Sequence, residues 1–305
     1  MLLKSPDPQP HVLALNWQDH WTSLLAIVIE LAACAWYLTS VRRLSSRGRS
    51  WPVLRVVSFL AGMAAVAYAV EGGIAQYQTD NFTARVVQIL LLVDIAPPFL
   101  ALGAPVRLAL QSSQGKAHTV LRRVLRSRPV RAVTQPLVAF AIITVSMYIY
   151  FLTPLYSWCA RHPAVLAYVD LHFLVAGWLL CWVVVARDAL PRPPRTGMRF
   201  ALVLLSIPSN AYLGLAIASA TKPLFPAGNT LADTRAGGNI LWALAEVFIV
   251  AALSLMFVEW AKEEERKAIR ADRQLDAALA AARGVVTADG HGGHVAGNGH
   301  DGRDG

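Results

Sequence analysis

Charged residues are scarce in this chain. Only 15% of its 305 residues are charged, whereas 55% are hydrophobic, and the mean hydropathy is +0.45. A soluble domain usually carries about 25% charged residues. The apolar residues also come in runs of about 20, the length that crosses a bilayer core of roughly 30 Å. These features exclude an ordinary soluble domain and predict an integral membrane protein.

The chain also lacks the signatures of several function classes. Its cysteines, Cys34, Cys159 and Cys181, form no CxxC pair, which argues against a disulfide framework or a thiolate metal cluster. It has no HExxH motif and no nucleophile–base set, so we expect no enzyme active site. The formal net charge is +9, but the basic residues are spread over short loops, and we expect no nucleic-acid partner. Residues 1–20 have no long apolar core, so we expect no cleavable signal peptide.

Seven apolar runs are predicted to be membrane-spanning helices, because they are too long and too continuously apolar for barrel strands. The predicted spans are Trp21–Ser40, Val53–Val70, Ala84–Leu110, Val133–Leu152, Ala164–Ala186, Phe200–Ala220 and Ile240–Trp260. The predicted fold is therefore all-α, a polytopic seven-helix transmembrane bundle.

The remaining segments have distinct characters. We expect residues 1–20 to form a short extracytoplasmic N-terminus, 21–260 the transmembrane domain, 261–284 a cytoplasmic helical extension and 285–305 a disordered Gly/His/Asp-rich tail. Gly284 is the expected stop of the last helix. The tail histidines are His291, His294 and His300. A solvated linker is favoured for them over loose metal binding.

Arginine and lysine alternate between loops. The first, third and fifth loops and the segment after the last span are basic, whereas the second, fourth and sixth loops have few or no basic residues. The positive-inside rule then places the N-terminus outside and the C-terminus in the cytoplasm. The third-loop stretch HTVLRRVLRSRPVR interleaves valine and leucine with arginine. It fits a membrane-surface segment, although a basic loop that only sets topology is the simpler alternative.

Charged side chains within membrane spans are costly and usually face the bundle interior. Asp94 lies about twelve residues into the third predicted span. Arg85, Asp170, His172 and Glu246 all fall in the predicted outer half, which predicts an interior pocket that opens away from the cytosol. The structural alternatives are a buried protonated acid, a snorkelling arginine and an interhelical histidine.

The third predicted span contains helix-breaking residues, in the stretch FTARVVQILLLVDIAPPFLALGAPV. The breaks are Pro97, Pro98, Gly103 and Pro105. Proline frees backbone carbonyls in the preceding turn, and those carbonyls need partners inside the bundle. We therefore expect this span to be buried among the others, which also accommodates Asp94.

That same stretch resembles the signature of the multi-span CtaG family of cytochrome c oxidase assembly proteins. The family pattern is approximately F-S-A-H-M-x-Q-H-x-L-L-x-x-x-A-P-P-L-L-x-L-G-A-P. The later segments QPLVAF, IPSNAYLGLAIAS and LADTRAGGNILWALAEVFIV also resemble the family. The motif positions in this chain are Gln88, Gln135, Asn210, Gly237, Gly238 and Trp242. The resemblance covers about Val53 to Arg270.

The resemblance implies a seven-span protein that helps cytochrome c oxidase mature through copper supply. The chain departs from the family at its histidines. Arg85 and Ile89 stand where the family has a His pair at spacing four, which would project from one helix face as metal ligands. Gln135 and Asp170 also replace family histidines, and His172 is the one that remains of a His-Leu-His-Phe string. A multi-His copper site is therefore not expected.

Arg85 and Asp170 occupy two positions that carry His in the family. If those positions meet in space, the two residues are expected to form a charge-assisted, partly buried structural clamp. This expectation fails if the side chains lie more than about 8 Å apart, too far for one bridging water. Metal binding would then rest on His172, Asp170, Glu246 and Asp94, a mixed nitrogen and oxygen set that suits Cu(II) better than Cu(I).

The sequence thus favours a non-enzymatic assembly factor for a respiratory oxidase in a bacterial cytoplasmic membrane. Its expected partners are oxidase subunits or another assembly factor, together with the lipid bilayer, and copper is the candidate cofactor. The alternative is a small transmembrane transporter or channel that uses Asp94 and Glu246 as a proton or cation path.

Overall fold

The computed structural model describes residues 21–185, 188–190, 194–224 and 230–291. Every regular element in these ranges is helical, as predicted. The chain divides into two compact units, Met1–Leu253 and Ser254–Gly305. The predicted N-terminal segment, residues 1–20, and the tail beyond His291 lie outside the described residues.

Twelve α-helices make up the described part of the chain. They are α1 Trp21–Ser45, α2 Val53–Val70, α3 Phe82–Leu90, α4 Ala96–Leu102, α5 Pro105–Ser112, α6 Gly115–Leu125, α7 Arg128–Val133, α8 Pro136–Leu152, α9 Leu155–Cys159, α10 Pro163–Val185, α11 Thr196–Ala218 and α12 Leu231–His291. A 3-10 turn, Gly73–Tyr77, follows α2. A π-helical turn, Leu91–Ile95, joins α3 to α4.

Six described stretches are long and apolar enough to cross a bilayer. They are Leu24–Ser45, Val53–Tyr77, Phe82–Ser112, Pro163–Val185, Thr196–Ala218 and Leu231–Val258. The other predicted span is the shorter helix α8, of 17 residues. At 1.5 Å per residue it is about 26 Å long, less than the roughly 30 Å of a bilayer core. The protein is a multi-pass membrane protein, and seven crossings remain a prediction.

The third span is central and broken. Over Phe82–Ser112, 56% of the most apolar window is buried, compared with 39% or less in the other five spans. The N–H of Ala96 bonds to the carbonyl of Leu91, which widens the helix by one residue. This π turn directly precedes Pro97 and Pro98, which have no N–H with which to continue the regular ladder. The one predicted span is therefore three helices in succession.

A second break lies at Gly103 and Ala104. Ala104 adopts a left-handed conformation, with φ of 50°, and α5 then begins at Pro105. A Cβ added at Gly103 would lie 2.8 Å from the Cβ of Phe59, so the missing side chain lets α2 approach closely. The hydroxyl of Tyr37 donates to the Gly103 carbonyl at 2.8 Å. The break is thus fixed by packing from α1 and α2.

The loops poor in arginine meet at one end of the bundle. The Tyr156 hydroxyl of α9 donates to the Gln78 carbonyl at 2.8 Å, which joins the second and fourth loops. The Asp233 carboxylate, in the first turn of α12, accepts from the Phe82 N–H at 2.7 Å. We call this side the Arg-poor end.

The arginine-bearing loops meet at the opposite side. Arg47 in the first loop donates to the Ser112 carbonyl at 3.0 Å. The Asp188 carboxylate, in the fifth loop, accepts from the Val106 N–H at 3.0 Å. We call this side the Arg-rich end. The grouping of loops follows the alternation in charge, and the end that faces the cytoplasm remains a prediction.

The last helix is longer than predicted. Gly284 does not end α12, which continues to His291. An isolated glycine costs only about 1 kcal/mol relative to alanine within a helix, and the preceding residues, such as Ala280 to Ala282, are strong helix formers. Lys267 pairs with Glu264, with 2.9 Å between Nζ and Oε1.

Candidate functional site

Arg85 is the largest fully buried side chain among the described residues, with 0% of its surface exposed. It lies in the first turn of α3. Asn81 caps this helix, because its side-chain oxygen accepts from the Ala84 N–H at 2.7 Å. The cap fixes the residue at which α3 begins. Because Arg85 lies in the first turn, the cap also fixes the direction in which its side chain leaves the helix.

Five polar side chains form what we call the Arg85 cluster: Arg85, Gln78, Gln88, Tyr150 and Asp170. Nη1 of Arg85 donates to Gln78 Oε1 at 3.0 Å and to Gln88 Oε1 at 2.8 Å. Nε donates to the Tyr150 hydroxyl at 2.8 Å. Nη1 also lies 2.7 Å from Asp170 Oδ1. Because the two amides take both hydrogens of Nη1, the contact with Asp170 is chiefly a charge–charge attraction.

The cluster ties several elements together. Gln88 Nε2 donates to the Ala69 carbonyl at 2.9 Å, which connects the cluster to α2. Gln78 belongs to the second loop, Tyr150 to α8 and Asp170 to α10. Within the described residues, Nη2 of Arg85 has no hydrogen-bond partner. A buried charge with this many partners holds helices in one arrangement, since a buried charge without them is very costly.

The structure brings Arg85 and Asp170 together, well inside the expected 8 Å limit. The hydrogen bonds and ion pairs found in the described residues do not link His172 or Glu246 to this pair. His172 lies two residues after Asp170, which is about 200° around the helix, and its Nε2 is 2.8 Å from Ser146 Oγ. Glu246 is partly buried. Of the four residues predicted to share an outer pocket, Arg85 and Asp170 are the two that are in direct contact in the described residues.

Asp94 lies in a separate place, on the wall of a cavity of about 120 Å³. The cavity lies between the π turn and helices α8, α10, α11 and α12. Its polar lining consists of Asp94, Thr144, Cys181, Ser206 and Asn210. None of the hydrogen bonds or ion pairs found in the described part of the chain involves the Asp94 carboxylate. Glu246 is not among the lining residues, although its neighbour Ala245 is.

The predicted metal-ligand set is not assembled. No three His, Cys, Asp or Glu side chains in the described ranges lie close enough together to bind one metal ion. Asp170 is engaged by Arg85, His172 by Ser146, and Asp94 lines the cavity. Burial raises the pKa of the Cys159 thiol, which disfavours the thiolate form that a metal would need.

Glu71 is a buried acid that the sequence analysis overlooked. It directly follows α2 and has 0% of its surface exposed. Within the described residues, neither of its carboxylate oxygens has a hydrogen-bond partner. Glu71 is the first residue after the second predicted span, and two glycines follow it. The sequence therefore gives no indication that it is buried.

Several family-motif positions have packing roles. A Cβ added at Gly237 would lie 2.5 Å from Phe82, and one added at Gly238 would lie 2.5 Å from the Ala218 nitrogen. These glycines let α12 approach α3 and α11, as small residues do in membrane helix pairs. Trp242 is 40% exposed, and Gln135 is an exposed residue just before α8. Gln88 belongs to the Arg85 cluster, and Asn210 lines the cavity.

Comparison with known proteins gives a family. Residues 35–263 match the model of the cytochrome c oxidase caa3 assembly factor family, Caa3_CtaG. The chain is 29% identical over 294 residues to the uncharacterized proteins Mb0105 of Mycobacterium bovis and MT0111 of Mycobacterium tuberculosis, with 88% of this chain and 43% of each relative covered. It is 26% identical over 279 residues to the uncharacterized protein ML1998 of Mycobacterium leprae, with 86% of this chain and 42% of the relative covered.

The chain therefore spans less than half the length of these curated relatives. No solved structure matches it significantly. The family match extends from α1 into α12 and includes every element of the Arg85 cluster. The resemblance found in the third span is thereby confirmed, and this chain belongs to the Caa3_CtaG family of cytochrome c oxidase assembly factors.

Proposed function

We propose that this protein is a membrane scaffold that assists the assembly of cytochrome c oxidase and acts without catalysis. The observation that carries the proposal is the family match over residues 35–263, which covers the bundle. Mycobacterial relatives support a place in a bacterial cytoplasmic membrane. Oxidase subunits or another assembly factor are the proposed partners.

The Arg85 cluster supports a scaffold rather than a copper carrier. Arg85 and Asp170 stand at positions where the family pattern has histidine, and they form an ion pair of 2.7 Å. A guanidinium binds no metal, and its presence repels a cation at the same place. In this chain, these two positions instead join α3, the second loop, α8 and α10.

Copper delivery is the finer form of the proposal, and a deletion experiment separates the two forms. The gene is deleted, and oxidase activity and assembled oxidase are measured with and without added copper. A scaffold predicts a loss that copper does not rescue, whereas rescue by copper would indicate delivery. Unchanged oxidase in the deletion strain would reject both forms.

A second candidate function, a proton or cation path, is favoured by one observation. Asp94 is a carboxylate inside a membrane span, on the wall of a cavity that also has Asn210 and Ser206. Intramembrane acids that line cavities often mark ion paths. The test is ion flux in vesicles that contain the purified protein, with Asp94→Asn as the variant. Ion flux in the wild-type protein that Asp94→Asn abolishes would favour transport. Absence of flux in the wild-type protein, together with normal oxidase assembly in cells that carry Asp94→Asn, would favour the scaffold.

A further inference from the structure

The segment between α5 and α8 carries an unusual density of positive charge. Residues 113–135 contain Lys116, Arg122, Arg123, Arg126, Arg128 and Arg131, and all six are exposed. The segment begins where a candidate membrane span ends, at Ser112. It includes the helices α6 and α7. It is therefore held beside the membrane surface by the chain itself.

Helix α6 is amphipathic. At 100° per residue, its apolar residues fall within an arc of about 140°. They are Ala117, Val120, Leu121, Val124 and Leu125. The basic residues Arg122, Arg123 and Arg126 occupy the remaining surface. This division of one helix into an apolar stripe and a basic face is typical of helices that lie in the interface plane of a membrane.

The apolar stripe of α6 is only half covered by protein. Leu121 and Leu125 are partly buried, whereas Val120 and Val124 are 55% and 50% exposed. His118 holds the helix against the bundle, with Nδ1 3.0 Å from the Leu110 carbonyl oxygen. One side of the stripe thus packs on the protein, and the other side is presented outward beside the arginines.

We propose that α6 and α7 form a binding surface for anionic phospholipids in the leaflet at the Arg-rich end. The exposed valines enter the boundary between headgroups and acyl chains, and the arginines bind lipid phosphates. Guanidinium groups suit this role because they bind phosphate through two parallel hydrogen bonds. The exposed valines identify a lipid rather than free phosphate, since inorganic phosphate has no apolar part for them to contact.

Native mass spectrometry of the full chain tests this proposal. The protein is released from micelles doped with phosphatidylglycerol or phosphatidylcholine of the same acyl chains, and retained lipid is counted. The wild-type chain should retain phosphatidylglycerol selectively. The triple variant R122Q/R123Q/R126Q should reduce that retention by at least about tenfold, because each basic residue near an anionic surface contributes roughly a fivefold factor.

The matched control is R266Q/R270Q/R273Q, which removes the same charge from exposed positions of α12 and should leave retention unchanged. V120S/V124S should reduce retention as well, and inorganic phosphate should not compete. Equal retention of the two lipids by the wild-type chain, or equal effects of the two arginine triples, would overturn the proposal. So would a V120S/V124S variant that retains lipid normally.

Hydrogen exchange gives a readout that needs no variant. The wild-type protein is placed in nanodiscs of phosphatidylcholine alone or with phosphatidylglycerol at a ratio of about 7:3. Backbone amides of residues 116–126 should exchange more slowly when phosphatidylglycerol is present. Identical exchange in the two bilayers would contradict the assignment, whatever the variants do.

Discussion

At the scale of single residues, the central fact is a fully buried arginine. Burying a guanidinium is tolerated only with an opposite charge and several hydrogen bonds. Arg85 has all of these, from Asp170, Gln78, Gln88 and Tyr150. The cluster joins residues that are distant in sequence, such as Arg85 and Asp170, without any group from solution.

Removing one partner of this pair should be severe. We expect Asp170→Leu to destabilise the protein by roughly 3–5 kcal/mol, because it leaves the Arg85 charge buried without its counter-charge. The amide and hydroxyl partners remain, so the helical fold itself should be retained. Denaturant unfolding of the purified protein in micelles, followed by circular dichroism, measures the change.

The double variant R85M/D170L is the control for that prediction. It removes both charges and leaves apolar groups of similar size, so it should be less destabilised than Asp170→Leu alone. If the two single changes, Arg85→Met and Asp170→Leu, simply add in the double variant, the pair is not coupled. That result would count against a structural clamp.

The pair was predictable from sequence, and its surroundings were not. Arg85 and Asp170 have complementary charges at positions that a family pattern links. Gln78 and Tyr150 gave no such signal, because one lies in a loop and the other in an apolar run. His172 misled the prediction because proximity in sequence to Asp170 hides the half-turn between them on α10. Glu246 and Asp94 were placed in one metal site with His172 and Asp170, and that site is not assembled in the described residues. An acid within a span indicates an interior position, but it does not indicate which residues lie next to it.

At the scale of elements, two helices of the third span, α3 and α5, are capped at their N-termini by carboxylates from far along the chain. Asp233 accepts from the N–H groups of Phe82 and Thr83, at 2.7 and 3.1 Å, at the start of α3. Asp188 accepts from Val106 at 3.0 Å at the start of α5. Each supplies the anion that a helix N-terminus favours. The first N–H groups of these helices have no partner within the helix.

The carboxylate at the start of α3 should be essential to that helix. We expect Asp233→Ala to cost about 1–3 kcal/mol, because it leaves the backbone N–H groups of Phe82 and Thr83 without their acceptor. Thermal unfolding of the purified variant measures the loss. Asp272→Ala, at an exposed position of α12, is the control for general effects of a lost acid. Equal stability of the two variants would show that the cap contributes nothing.

Close approach of α10 to the kink depends on a glycine. A Cβ added at Gly177 would lie 2.9 Å from the Val93 carbonyl oxygen and 3.1 Å from Pro97 Cγ. Gly177→Ala should therefore destabilise by about 1–3 kcal/mol through overpacking, measured as a fall in the unfolding midpoint. Gly197→Ala meets no atom within 4 Å and should be neutral or slightly stabilising. A neutral Gly177→Ala would mean that the kink can shift freely.

At the scale of the whole molecule, composition and loop charge predict most of the architecture. Apolar runs locate all six long apolar stretches, because only helices and closed barrels satisfy backbone polar groups in lipid. Their ends are less well predicted, since the last stretch begins at Leu231 rather than at Ile240. The prolines predict an interruption of the third span, but not its form, which is a π turn before Pro97 and a left-handed residue at Ala104. Apolar runs also do not settle the number of crossings, because α8, with 17 residues, is shorter than the six candidate spans.

Cysteine labelling decides whether α8 crosses the membrane. Arg126 and Arg161 lie on either side of α8, and both are exposed. If α8 crosses, Arg161→Cys in intact cells should react with a membrane-impermeant maleimide, and Arg126→Cys should react only after permeabilisation. A helix of about 26 Å can still cross, because the bilayer thins locally or flanking side chains reach the interface. The parent chain, with Cys34, Cys159 and Cys181, provides the background. Equal labelling of both variants in intact cells would place the two loops on the same side of the membrane and leave six crossings. The predicted orientation would then be wrong for the helices on one side of α8 in the sequence.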